Sequence, residues 1–316
     1  MIHEKIQLYE NRSDVTLTTY VLDDSAEMLN GKKRPAVLVC PGGAYLGCSD
    51  REAEPVALRF AAMGYHAFVL RYSTYFEGKF GELPFGGDMP VNPKSVHPGP
   101  VRDIGQAFLT IREFADEWLV DMDKVAICGF SAGGHNCAMY ATHWHRPIMT
   151  DHFGVPAADL KPAAAIVGYP IGDYHIMFGE ITDPVGQEIS NAASIAFLGT
   201  TTPSSDLLDA VSPVLHITQE TPPMFIWATA ADELVPVENS TSLANGLARQ
   251  GVPFEIHIFE GGMHGLSLAD QATAGGLANL EPDAAKWIGL AETWLKKRFA
   301  LELPVKPAWM VEMEAA

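Results

Sequence analysis

Apolar residues along this 316-residue chain follow two rhythms that alternate almost from end to end. Arg34–Cys40 (RPAVLVC) is apolar without a break, as a strand covered on both faces must be. Further strands are predicted at His66–Arg71, Lys124–Phe130, Ala163–Tyr169, Pro223–Ala230 and Phe254–Phe259. Between them the period lengthens. Val101–Trp118 places Ile104, Phe108, Ile111, Ala115 and Trp118 at helical steps, and Ala132–His143, Val237–Gln250 and Asp283–Phe299 are also helical. One more helix begins between residues 49 and 54 and stops at Gly64. Ser49-Asp-Arg-Glu52 resembles a capping box, whereas Pro55 suits a first turn. Strands alternating with helices predict an α/β fold with a mostly parallel sheet and helices on both faces. Two opening strands, Lys5–Tyr9 and Val15–Leu22, would form an antiparallel edge, with a turn at Asn30-Gly31 before the first buried strand.

Two stretches interrupt the pattern, Ser73–Pro100 and Ile171–Glu220. Long irregular segments in compact domains are usually lids or binding loops. The first carries Tyr75, Phe76, Phe80 and Phe85. Either these aromatics wall a binding pocket, or they pack on the body or a second subunit; the sequence leaves both readings open. Residues 304–316 form a peripheral tail in which Trp309 could dock on the body or on a second copy, so a homo-oligomer also stays open. No repeat or low-complexity tract is present, and residues 1–316 read as a single domain with two irregular insertions.

Composition narrows the function. Hydrophobic residues make up 47%, enough for a large core, and the formal net charge is −18. So negative a surface repels phosphate backbones and anionic lipid, which argues against nucleic-acid or membrane partners and for a neutral small molecule. None of the cysteines (Cys40, Cys48, Cys128, Cys137) forms a CxxC pair, so zinc-ribbon and thioredoxin readings fail. The opening MIHEKIQLYENRSD lacks an apolar signal core and no stretch reaches 18 apolar residues. The expected compartment is a reducing cytoplasm.

Gly129-Phe-Ser131-Ala-Gly133 has the form G-x-S-x-G and lies between a buried strand and a helix. A sharp strand–turn–helix bend there would expose the Ser131 hydroxyl, and small neighbours would let the backbones approach. A serine needs a base oriented by a third group, and sheet enzymes place such groups beyond the carboxyl ends of their strands. Asp232 follows one later strand and His264 the last, in the order serine, acid, histidine. Glu233, Glu260, Asp206 and Asp209 are weaker acids by position. His135 is expected to pack or line the pocket. His143, His145, Asp151 and His152 look like metal ligands but lie far from the predicted active face, so they are expected to be surface residues and no metal is implied. The oxyanion donors expected are the Ala132 N–H and amides of the Pro41-Gly42-Gly43-Ala44-Tyr45 loop.

These motifs bear a family likeness. PGGAY resembles the HGGG-type loop of the α/β-hydrolase, hormone-sensitive-lipase-like esterases. GFSAGGH, TPPMFIWATAADELVPVENS and HIFEGGMHG are similar to their bacterial branch of xylan or carbohydrate acetyl esterases. The likeness runs from about Pro35 to Trp294. It implies Ser131 as nucleophile, Asp232 as acid, His264 as base and Gly43, Ala44 and Ala132 as oxyanion donors. Pro41 stands where the family has a histidine that braces the loop, and Ala44 where it has a third glycine. The expectation is a serine carboxylesterase for small neutral acyl esters, acetylated carbohydrates among them, with no cofactor. Two rivals are a prolyl-oligopeptidase-like peptidase, which would cleave amides and usually carries a large N-terminal domain, and a non-catalytic binding protein, which would lack a triad residue.

Overall fold

A computed structural model describes residues 1–78, 89–177 and 184–315 of the chain. Its strands are β1 (Lys5–Tyr9), β2 (Arg12–Tyr20), β3 (Arg34–Cys40), β4 (His66–Arg71), β5 (Val120–Phe130), β6 (Ala164–Gly168), β7 (Met224–Thr229) and β8 (Phe254–Phe259). They pair into one eight-stranded sheet in the order β1-β2-β4-β3-β5-β6-β7-β8. β1 and β2 join antiparallel, as expected of the opening edge, and β4 through β8 run parallel. Every residue of β3 and β7 is buried, which is why neither sequence alternates.

The helices are α1 (Glu54–Ala62), α2 (Gly99–Glu113), α3 (Ala132–His143), α4 (Pro147–Phe153), α5 (Tyr174–Met177), α6 (Pro184–Leu198), α7 (Ser205–Ala210), α8 (Glu238–Gln250), α9 (Trp287–Lys296) and α10 (Ala308–Ala315). α1 and α9 cover one face of the sheet, where Trp287 stacks on Trp227 at 5.0 Å between ring centroids. The opposite face packs against α2, α3 and α8. Burying one such aromatic contributes roughly 1.5–3 kcal/mol, so the Trp227–Trp287 pair ties α9 firmly to the sheet centre.

Several boundaries differ from the expectation for identifiable reasons. α2 ends at Glu113, not Trp118. The apolar period continues because a turn over 114–118 buries Ala115 and Trp118, and Leu119 at φ 54° then reverses the chain. β5 starts at Val120 because a register irregularity opposite Arg34–Ala36 lets Val120 pair with Arg34. Pro55 opens α1, while Ser49 makes no side-chain cap, so the capping-box reading fails. The 171–220 insertion carries α5, α6 and α7; α5 and α7 are too short to show a period, and in α6 small and polar residues spread around the helix hide it. Among the described residues no helix is long and apolar enough to cross a membrane.

The parallel register aligns the strand ends that matter. Cys40 pairs with Gly129, Phe130 with Gly168, and Thr229 with Phe259. The chain leaving β3, β5, β7 and β8 therefore emerges along one rim.

Candidate active site

Ser131 lies in the turn between β5 and α3 at φ 51°, ψ −122°, a conformation that side-chain-bearing residues rarely adopt. The flanking glycines allow it. A Cβ on Gly129 would stand 2.2 Å from the Gly133 carbonyl oxygen, and one on Gly133 would stand 2.1 Å from that of Cys40. Both neighbours are backbone, so the close approach requires glycine.

His264 Nε2 is 2.8 Å from Ser131 Oγ, and His264 Nδ1 is 2.7 Å from Asp232 Oδ2. The Asp232 side chain is 1% exposed and that of His264 14%. The other carboxylate oxygen, Asp232 Oδ1, accepts the N–H groups of Leu234 and Val235 at 2.9 Å each. A carboxylate held in this way can only accept from Nδ1–H, which leaves the Nε2 lone pair facing the serine hydroxyl. The acid and histidine loops are themselves joined, Thr229 Oγ1 donating to the Gly262 carbonyl at 2.8 Å. Glu233, Glu260, Asp206 and Asp209 are all exposed, and Asp209 pairs with His175 instead.

The loop after β3 turns sharply, with Gly43 at φ 134°, Ala44 at 54° and Tyr45 at 58°. Among the described residues no acceptor takes the N–H of Gly43, Ala44 or Ala132. Ala44 and Ala132 border a cavity of about 50 Å³ at Ser131, lined further by Tyr45, Tyr174, Met177, Ile189, Ala193 and Leu234. Among the described residues its outer wall is thus α5 and α6, not the aromatics after β4. Tyr75 and Phe76 pack on the core, and their N–H groups donate to the carbonyls of Tyr45 and Leu46. Phe80 and Phe85 lie outside the described residues.

His135 is fully buried. It bonds Tyr45 Oη through Nδ1 at 2.5 Å and the Val211 carbonyl through Nε2 at 2.8 Å, and burial pushes its pKa down to about 3. It is therefore a neutral strut between the loop after β3 and the insertion. His143 is buried too, against the expectation of a surface position, because the last turn of α3 lies under the insertion; its pKa is pushed down to about 3. Among the described residues no group of three or more His, Cys, Asp or Glu is placed to hold a metal ion.

The sequence reading missed Glu52 and Tyr169. Glu52 does not cap a helix but turns inward, accepting the Gly42 N–H at 2.7 Å and the Tyr169 hydroxyl at 2.6 Å. In the sequence Glu52, ten residues after Gly42, is absorbed by the capping-box pattern, which leaves no signal of its inward role.

A protein-family model described as BD-FAE matches residues 89–247, half of the chain. Endo-1,4-beta-xylanase B of Butyrivibrio fibrisolvens is 34% identical over 243 residues, 75% of this chain and 33% of that protein. Among solved structures, the carboxylesterase Cest-2923 from Lactobacillus plantarum WCFS1 superposes with a TM-score of 0.76 at 28% identity, covering 96% of this chain and 100% of that one. The acetyl ester-xyloside bifunctional hydrolase from Caldicellulosiruptor lactoaceticus gives 0.69 at 29% identity, covering 93% and 96%. The chain spans between 33% and 61% of the length of the curated relatives it matches.

Proposed function

Because the chain belongs to the BD-FAE family of α/β-hydrolases, we propose that it is a serine carboxylesterase that cleaves small neutral acyl esters through an acyl-enzyme on Ser131. The observation that carries this reading is the hydrogen-bonded line from Ser131 through His264 to Asp232, facing free backbone donors. Ser131 Oγ attacks the ester carbonyl as its proton passes to His264 Nε2. The resulting imidazolium is stabilised by Asp232, which also holds the tautomer. The N–H groups of Ala132 and of the Gly43–Ala44 turn bind the oxyanion, and Ala44 is favoured over Gly43 because it borders the cavity. Collapse expels the alcohol, which takes the proton from His264. Water then repeats the sequence, giving acid and alcohol in all.

The cavity supports a short acyl group. At roughly 10–15 Å³ per water-sized group, 50 Å³ admits about three to five such groups. Acetylated carbohydrate is the favoured natural ester, a proposal that takes support from the xylanase and the acetyl ester-xyloside hydrolase among the similar proteins. All four cysteines are unpaired and buried, in keeping with the reducing cytoplasm expected of the sequence.

Two measurements test the reading. A fluorophosphonate should add once, at Ser131, and Ser131→Ala should remain folded with activity lowered about 10⁴-fold. Acetylated xylo-oligosaccharides and aryl esters of graded length should both be hydrolysed, with kcat/KM falling beyond butyrate. Labelling elsewhere, or amide cleavage without ester cleavage, refutes it.

A further inference from the structure

Glu52 is a buried carboxylate, 4% exposed, and the relay of Ser131, His264 and Asp232 makes no use of it. Its two hydrogen bonds reach different parts of the rim. Gly42, whose N–H it accepts, stands against Ser131: a Cβ there would lie 3.0 Å from the Ser131 Cβ and 2.7 Å from Glu52 Oε2. Tyr169, whose hydroxyl it accepts, follows β6 in a left-handed conformation at φ 38°. The same hydroxyl accepts the Ser267 N–H at 2.9 Å, and the Tyr169 ring meets the His264 ring edge-on at 5.0 Å. Ser267 Oγ in turn donates to the carbonyl of Arg51, beside Glu52. Burial pushes the Glu52 carboxyl above its ordinary value, opposed by the bonds from Tyr169 and Gly42. A buried carboxyl without a formal ion pair is costly, and such groups concentrate where geometry serves chemistry.

We propose that Glu52 is a positioning residue that, through Gly42 and Tyr169, holds the oxyanion turn and the histidine loop in one fixed spatial relation. This rests on the esterase reading above. Pro41 brings neither a backbone N–H nor a side-chain hydrogen-bonding group to the start of the turn, and the Gly42 N–H that follows it donates to Glu52. Fixing Gly42 fixes the start of the turn that presents the next two amides, and fixing Tyr169 fixes the surface on which His264 rests. Small displacements of oxyanion donors cost about 10²-fold in rate, whereas substrate binding in the ground state barely depends on them.

The variants separate positioning from mere stapling. A glutamine can still accept the Gly42 N–H while its amide N–H₂ faces the Tyr169 oxygen, so Glu52→Gln should retain kcat within about fivefold. Glu52→Leu has similar bulk and no acceptor. Its kcat for an aryl acetate, per active site titrated with fluorophosphonate, should fall about 100-fold with KM within threefold. Tyr169→Phe should lower the same per-site kcat about tenfold, and serves as the deciding variant if Glu52→Leu does not fold. A Glu52→Leu protein with fewer active sites but wild-type kcat at each would overturn the proposal, as would a loss confined to KM. So would an unchanged per-site kcat in Tyr169→Phe. Failure of the esterase reading is distinguishable, since wild-type protein would then neither label at Ser131 nor turn over the ester.

Discussion

Asp232→Asn offers a sharp test because the hydrogen bonds around the carboxylate dictate how the amide must sit. Asp232 Oδ1 accepts two backbone N–H groups, from Leu234 and Val235, and Oδ2 accepts one, from His264 Nδ1. An asparagine keeps the first two bonds only by pointing its oxygen at them, which turns its N–H₂ toward Nδ1. The imidazole must then carry its proton on Nε2, and no lone pair faces Ser131. The reverse orientation restores the tautomer but leaves two N–H groups, the buried one of Val235 and the half-buried one of Leu234, without acceptors, at roughly 1–3 kcal/mol each. The inactive arrangement is thus favoured by about 2–6 kcal/mol, so kcat should drop on the order of 10²–10⁴-fold. Initial rates on an aryl acetate, normalised to folded protein, measure this. Glu233→Gln, at an exposed position, should stay within twofold. Retention of activity within tenfold by Asp232→Asn, or a larger loss in Glu233→Gln, refutes the assignment of the acid.

Two further outcomes follow from packing and burial. Gly133→Ala places a Cβ 2.1 Å from the Cys40 oxygen and 2.4 Å from that of Pro41, both backbone, so it should destabilise by more than the roughly 1–3 kcal/mol of ordinary overpacking; an unchanged thermal midpoint would contradict the close approach. Burial pushes His66 and His97 down to about 4 and His135 and His143 to about 3. These pKa values are depressed from an ordinary 6.5, so the stability they confer is complete above that pH and is lost as pH falls toward 4. Each can cost up to about 1.4 kcal/mol per pH unit, opposed by Glu52 and Asp103, whose carboxyls burial pushes up. The urea midpoint should therefore be lower at pH 5 than at pH 7, and equal midpoints would show that these rings are not held neutral.

What the sequence revealed depended on whether one residue's chemistry declared itself locally. Unbroken runs such as RPAVLVC announce strands because burial on both faces removes polar alternation. Ser131 and Asp232 were legible because each follows such a strand, and His264 because it follows the alternating FEIHIF, the parallel sheet bringing these strand ends to one rim. α6 was not, since PVGQEISNAASIAFL spreads small and polar residues around the helix instead of sorting them to one side. Trp118 extended the predicted helix because a buried turn can keep a helical period. Glu52 escaped because its partners, Gly42 and Tyr169, are 10 and 117 residues away, and a four-residue motif offered a nearer explanation.

The four loops that meet at the rim have a consequence for how the molecule matures. Ser131 and His264 are 133 residues apart, Asp232 and His264 are 32, and the loop after β3 follows a strand one of whose parallel neighbours, β5, lies far along the chain. Pairings of such sequence separation form late, after local helices, because loop closure precedes any gain from contact. A chain with most of its helices in place is thus still chemically silent. Under the proposed mechanism the refolding chain gains hydrolytic activity only once the most distant of these pairings, β3 with β5 and Ser131 with His264, are in place, so ester turnover would report the latest contacts of assembly rather than the earliest.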